Sequence, residues 1–261
     1  MEVHHHPQVE KKNFKEYFLE FLMIFLAVTM GFFAENIREH IADDAKEKGY
    51  MNSMIEDLQK DTSNINTEVK GNRLLLSGLD TLLDLLSTPQ NDTIYQRKLF
   101  ICSLVNTYWY MPLLFSDLTI SQLKYNGNFR LIQNYKVANG ILQYEQGVET
   151  CKDNYDLLLN YYHIYEATNK ELFNMSLARP AFKAIEKDFI TVFLPLNKIE
   201  AMVPRGKYID KNEPELFSKY HDDILYYQTT LSNITNITEK QKESADSLIQ
   251  LIRKEYYLDK N

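Results

Sequence analysis

The chain has 261 residues, 25% of them charged, and a net charge of −7 with no basic stripe. That balance excludes a phosphate-binding nucleic-acid face, and a hydrophobic share of 44% excludes wholesale disorder. Eight glycines and seven prolines are few for this length, so long helices joined by few turns are expected.

A tail, 1–16, carries His4, His5 and His6, which read as polar residues, and Lys11, Lys12 and Lys15. Phe18 to Ala34 then holds a single charge, Glu20, and no proline. A helix rises about 1.5 Å per residue, so Tyr17 to Ala34 covers roughly 27 Å, against a hydrocarbon core of about 30 Å. The stretch is too long for the apolar part of a signal peptide, and Phe32 lies at −3 from the one plausible cut, after Ala34. A transmembrane helix over 17–35 is therefore expected. The tail's lysines oppose Arg38, Lys46 and Lys48 on the far side. The expected orientation is tail in the cytoplasm and the remainder, 36–261, outside the inner membrane.

At 100° per residue, Glu20, Ile24, Ala27, Gly31 and Arg38 share one face of this helix. Ala27 and Gly31 make a small-xxx-small pair that lets another helix approach. Glu20 is costly in lipid and should face protein or reach the interface. The face predicts association in the bilayer with a protein partner or with a second copy.

Beyond the membrane the apolar pattern keeps alternating steps of three and four, as in a coiled-coil seam. Met51, Ile55, Leu58, Thr62, Ile65, Val69, Asn72, Leu76, Leu79, Leu83 and Leu86 carry one helix to about Ser87, where Thr88-Pro89-Gln90-Asn91-Asp92 reads as a turn. A second helix is predicted from Thr93 to Tyr110. Ser116 is placed to cap a short helix, Asp117 to Tyr125, ahead of an Asn126-Gly127 turn. A long helix follows from Tyr135 to Ser176, ended by Arg179-Pro180. Its seam is Val137, Ile141, Tyr144, Val148, Cys151, Tyr155, Leu158, Tyr162, Tyr165, Asn169 and Leu172. A short helix over Phe182 to Phe193 leads to a loop through Pro195, Pro204 and Gly206. Asn212, with Pro214 and Glu215, resembles a capping box opening the last helix. That helix has its seam at Phe217, Tyr220, Ile224, Tyr227, Leu231, Ile234, Thr238, Gln241, Ala245, Leu248 and Ile252. The fold class expected is all-α, a transmembrane helix continuing into an elongated antiparallel bundle.

Tyrosines along the seams are unusual, because a buried hydroxyl seeks a partner. Tyr155, Tyr162, Tyr165 and Tyr227 form a candidate ligand pocket; the plainer alternative keeps their hydroxyls at the wet edge of the seam. Cys102 and Cys151 form no CxxC and are either one disulfide or two buried thiols. No phosphate loop, dinucleotide fingerprint, nucleophile elbow or zinc-protease motif occurs. The residues three before His40, His163 and His221 are Ile37, Asn160 and Ser218, which denies a bundle di-iron site its Glu-x-x-His pairs. No cofactor or metal is expected. The function expected is non-enzymatic interaction or assembly at a membrane. The alternative is a ligand-sensing helical domain that acts through a partner protein.

Two stretches carry a resemblance. One is the anchor pattern of Glu20, Ala27 and Asn36-Ile37-Arg38-Glu39; the other runs from Thr119 to Ile132 through the Asn126-Gly127 turn. In both, the chain resembles a family of single-span membrane proteins common in Bacteroidetes-type bacteria and catalogued as a domain of unknown function. The family often has Asn-Trp where Asn36-Ile37 stands, and Ser or Gly where Tyr125-Asn126 stands. The resemblance implies an anchored domain outside the inner membrane. It supplies no catalytic residue.

Overall fold

The computed structural model describes residues 13–88, 92–107, 112–185 and 196–258. Among them there are seven α-helices: α1 (Phe14–Ser87), α2 (Thr93–Thr107), α3 (Leu118–Tyr125), α4 (Tyr135–Leu172), α5 (Arg179–Ile185), α6 (Leu196–Met202) and α7 (Pro214–Tyr256). No strand occurs among the described residues, only an isolated antiparallel bridge between Phe173 and Ile209. The all-α class is as expected. The chain divides into two units, Met1–Met51 and Asn52–Asn261, with α1 contributing to both.

The first unit holds the apolar part of α1. This is the one helix among the described residues long and apolar enough to cross a membrane: an 18-residue window has a mean hydropathy of 2.0, and none of it is buried in protein. The one hydroxyl between Phe18 and Ala34, on Thr29, donates to Phe25 O at 2.7 Å, so it needs no water partner.

The second unit is a bundle whose directions follow from its cross-links. The α1 side chain of Asp61 meets Tyr144 of α4 at 2.7 Å, while Asn72 and Leu75 line one small cavity with Tyr155 and Leu158. Helices α1 and α4 therefore run parallel. Asn134, at the start of α4, donates to Glu255 near the end of α7 at 2.6 Å, and Asn169 donates to Tyr220 at 2.8 Å, so α7 runs antiparallel to α4. Tyr95 of α2 donates to Leu85 O at 2.6 Å and Cys102 approaches Gly78 O, which makes α1 and α2 an antiparallel pair. Gly78 permits this pairing: a Cβ there would lie 1.8 Å from Asn106 Oδ1.

The α4 seam is buried at every expected position except Tyr155, and the α7 seam at every one except Phe217, whose place Leu216 takes. Thr235 and Thr238 donate back to helix carbonyls at 2.6 and 3.1 Å, and α7 continues through them unbroken. On α1 the expected seam is buried at Met51, Ile55, Leu58, Ile65, Val69, Asn72 and Leu79 but gives way to a neighbouring residue elsewhere. Asp61, Leu75 and Leu82 are buried where Thr62, Leu76 and Leu83 were expected. The stripe is set by what α2, the 112–119 segment and α4 present to it, not by apolar side chains alone.

Several boundaries also differ. Helix α4 stops at Leu172, before Arg179-Pro180, because Asp210 N donates to Leu172 O and Asn174 N to Tyr208 O, each at 2.9 Å. Those bonds hold the chain extended for the Phe173 bridge. Pro180 instead lies in the first turn of α5, where its missing N–H costs nothing. Helix α6 forms where a loop was expected. Ser116 is not a cap; the N-cap of α3 is Asp117, without a side-chain bond. Asn212 is not one either, since Glu213 precedes Pro214 at the start of α7. Gly127 adopts φ 65°, as the turn requires. The expected Pro89–Asn91 turn, the end of the second helix at 108–110 and most of the Phe182–Phe193 helix lie outside the described residues, as do the histidines of the tail.

Candidate functional site

Ile24, Ala27, Gly31 and Arg38 are exposed on α1 and Glu20 is half-buried. A Cβ built on Gly31 would meet nothing within 4 Å. Arg38 is paired with Glu35, one turn away on the same helix.

The tyrosines do not enclose a ligand-sized pocket. Tyr165 stacks on Tyr227 at 5.4 Å and on Tyr220 at 5.6 Å between ring centroids, and Tyr162 tilts against Tyr227 at 5.9 Å. The cavity beside Tyr155, Tyr162 and Tyr227 has a volume of about 10 Å³, which is at the lower limit for one water. The ring stack fills the space the sequence reading left open. It also answers the question of hydroxyl partners. Tyr165 bonds Thr107 at 2.6 Å, Thr107 lies 2.8 Å from Ser103 O, and Asn169 serves Tyr220. Burial raises the Tyr165 and Tyr227 phenols far above their ordinary range and pushes Tyr220 up to about 12. All three are neutral core members.

Cys102 and Cys151 are both free thiols. Cys102 lies beside Gly78, whereas Cys151 stands near enough to Glu68 to feel its charge. Ten residues of α1 separate those levels, about 15 Å, and a disulfide needs Cα atoms within about 7 Å. Burial pushes Cys102 up to about 11 and Cys151 to about 12.

Two features were not anticipated. The first is a set of acidic and amide side chains on the inner face of α1. Asp57 accepts from Thr119 N at 2.9 Å, Asp61 from Ser116 N at 2.6 Å and from Tyr144 Oη at 2.7 Å, and Asn64 donates to Leu114 O at 3.2 Å. These side chains satisfy the backbone of an irregular segment that has no ladder of its own. Burial pushes the Asp61 carboxyl up, while its bonds from Tyr144 and Ser116 pull it back in part. Further along, Glu68 is 2% exposed. Its Oε1 accepts from Asn72 at 2.6 Å, and its Oε2 has no hydrogen-bond partner. Burial moves this carboxyl up to about 7. The 3-4 spacing of 61, 65, 68, 72 and 75 contains the signal, but an apolar criterion passes over it.

The second feature is a groove of about 1240 Å³ between the end of α1, α2, α6 and the loop after it. Leu74, Ile94, Ile101 and Val105 give it apolar walls, and Arg97, Lys98, Arg205 and Glu200 line it with charge. Arg97 pairs with Glu200 at 3.2 Å and donates to Glu200 O at 2.6 Å and Val203 O at 3.2 Å. Among the described residues no ion pair holds Lys98 or Arg205. Tyr208 lines the groove with a buried hydroxyl, and both that hydroxyl and Arg97 Nε lack a hydrogen-bond partner. Among the described residues no cluster of three metal-ligating side chains occurs. Comparison with family models, with curated proteins and with solved structures finds no match.

Proposed function

We propose that this chain is a membrane-anchored, non-enzymatic helical protein that takes part in assembly. Residues 17–35 cross the inner membrane, 1–16 form a cytoplasmic tail, and 36–261 work on the periplasmic side. The observation that carries this reading is an apolar stretch of α1 with mean hydropathy 2.0 that buries no part of itself in protein. A soluble protein would have to leave those side chains in water, at about 25 cal/mol per Å². The resemblance to an anchored family supports the same placement. The buried polar groups of Asp61, Tyr144 and Tyr165 are taken up by internal bonds, which favours a structural role for that layer of the bundle.

Association runs through the face of Glu20, Ile24, Ala27, Gly31 and Arg38, toward a second copy or a partner helix. The open space over Gly31 suits close helix contact. The test is crosslinking of the full chain in its native membrane, after alkaline carbonate washing. Retention in the washed membrane and a crosslinked species that Gly31→Leu or Glu20→Leu abolishes are expected. Release by carbonate refutes the anchor; crosslinking unchanged in both variants refutes the face. Labelling of an Asp222→Cys variant by a membrane-impermeant maleimide on cells with a permeabilised outer membrane tests the orientation, and protection would reverse it.

A further inference from the structure

The groove between α1, α2 and α6 lies in the bundle and owes nothing to the anchor. We propose that it binds a single-chain anionic amphiphile, with a carboxylate or phosphate head on an apolar tail. Three observations converge. The walls at Leu74, Ile94, Ile101 and Val105 are apolar, and Ile94 is 83% exposed, an unusual cost on a helix that is otherwise well buried. The charged lining is Arg97, Lys98 and Arg205 against Glu200 alone, so the groove is net positive by two in a chain of −7. Glu200 is already engaged by Arg97, which leaves Lys98 and Arg205 to meet an incoming anion.

The third observation is unmet hydrogen-bonding capacity. Tyr208 is fully buried with its ring tilted against Phe100 at 5.7 Å, yet its hydroxyl finds no partner; nor does Arg97 Nε. Elsewhere in the core, tyrosine hydroxyls find partners, as at Tyr144, Tyr165 and Tyr220. Two orphaned donors in the wall of one groove are costly, and a ligand oxygen that reaches them after a small side-chain shift removes the cost. An anion suits donors of both kinds and the two cations. A neutral lipid or a cation does not.

The test uses the full chain in phosphatidylcholine nanodiscs, with dansyl-undecanoate as the fluorescent probe and empty nanodiscs as the blank. Saturable probe binding above the blank is expected, displaced by decanoate or by decyl phosphate but not by decanol or decyltrimethylammonium. Displacement by decanoate only assigns a fatty-acid type of ligand; displacement by both assigns any anionic head. The exposed pair Lys98→Glu with Arg205→Glu and the conservative Tyr208→Phe should each weaken binding by about tenfold, the size of one hydrogen bond to a charged group. Both variants are to be checked for an unchanged helical spectrum. Displacement by decanol as strong as by decanoate, a signal equal to the blank, or wild-type affinity in both folded variants overturns the proposal.

Discussion

Replacing Glu68 by Gln isolates one buried carboxyl in the centre of the bundle. Its titration is moved from the ordinary 4.5 up to about 7, chiefly by burial, with the Asn72 amide opposing. At roughly 1.4 kcal/mol per pH unit, the carboxylate form costs the fold about 3.5 kcal/mol once it is fully charged. The sign is fixed by the order of the two values. Below pH 4.5 the side chain is protonated in the folded and the unfolded chain, and the penalty is absent. Between 4.5 and 7 the unfolded chain releases a proton that the fold retains, so stability falls as pH rises. Above 7 the penalty is complete. Urea denaturation of the full chain in a neutral detergent, followed by circular dichroism at pH 5 and pH 8.5, reads this directly. The Glu68 share of the wild-type loss between these points is about 2.5 kcal/mol. Asp61 also titrates upward, so the quantity to compare is the difference between wild type and Glu68→Gln, in which its share cancels. The two proteins should lie within about 1 kcal/mol of each other at pH 5 and separate by about 3.5 kcal/mol at pH 8.5, with the variant the more stable. Parallel pH profiles, or a variant weaker at both pH values, would refute the assignment of a neutral Glu68 to the folded state.

The other predictions concern the same bundle. Asp61→Ala leaves Ser116 N and Tyr144 Oη without an acceptor and should cost about 3 kcal/mol in the same denaturation assay; a loss under 1 kcal/mol would contradict the clamp. Tyr165→Phe removes the bond to Thr107 and should cost about 1 kcal/mol while leaving the ring stack intact; an unchanged midpoint would show that the hydroxyl contributes nothing. Cys102 and Cys151, raised to about 11 and 12, should react with iodoacetamide at pH 8 on the order of a hundredfold more slowly than a free thiol until urea is added. A non-reducing gel should show no shift against the reduced chain, and a shift would restore the disulfide.

Helices α4 and α7 were legible almost residue by residue, because each presents one apolar or aromatic stripe to a neighbour of the same kind. Helix α1 was legible in extent and over most of its seam, but not at Thr62, Leu76, Leu83 and Leu86, which are only half-buried. Acidic side chains are almost never fully buried unless partnered, so a reading by polarity assigns Asp61 and Glu68 to water and slides the seam onto Thr62. What draws Asp61 inward is the backbone of 114–119, fifty or more residues away. No local pattern records that partner. The same reason explains the caps: Thr119 N finds its acceptor on Asp57 of α1 rather than on Ser116 or Asp117. The tyrosine seam was recognised, but whether its rings meet or part depends on the spacing between α4 and α7, which periodicity does not give. The groove could not be read at all, since Leu74, Arg97 and Arg205 come from three separate stretches of chain.

The buried acids bear on what makes this bundle a single structure. Leucine and isoleucine seams of 3-4 spacing tolerate sliding by a whole turn, because each layer looks like the next. Asp57, Asp61 and Asn64 occupy successive turns of one α1 face, and each meets a different backbone group between Leu114 and Thr119. A slip of one turn would leave at least one carboxylate buried without a donor, at a cost of several kcal/mol. Tyr144 ties the same carboxylate to α4, and Gln241 of α7 donates to Tyr144 O at 2.8 Å from the other side. Gly147 is the residue that lets Gln241 come so near, since a Cβ there would lie 2.0 Å from its Oε1. One polar layer thus joins α1, the 114–119 segment, α4 and α7 at a fixed level, and the apolar layers on either side inherit their register from it.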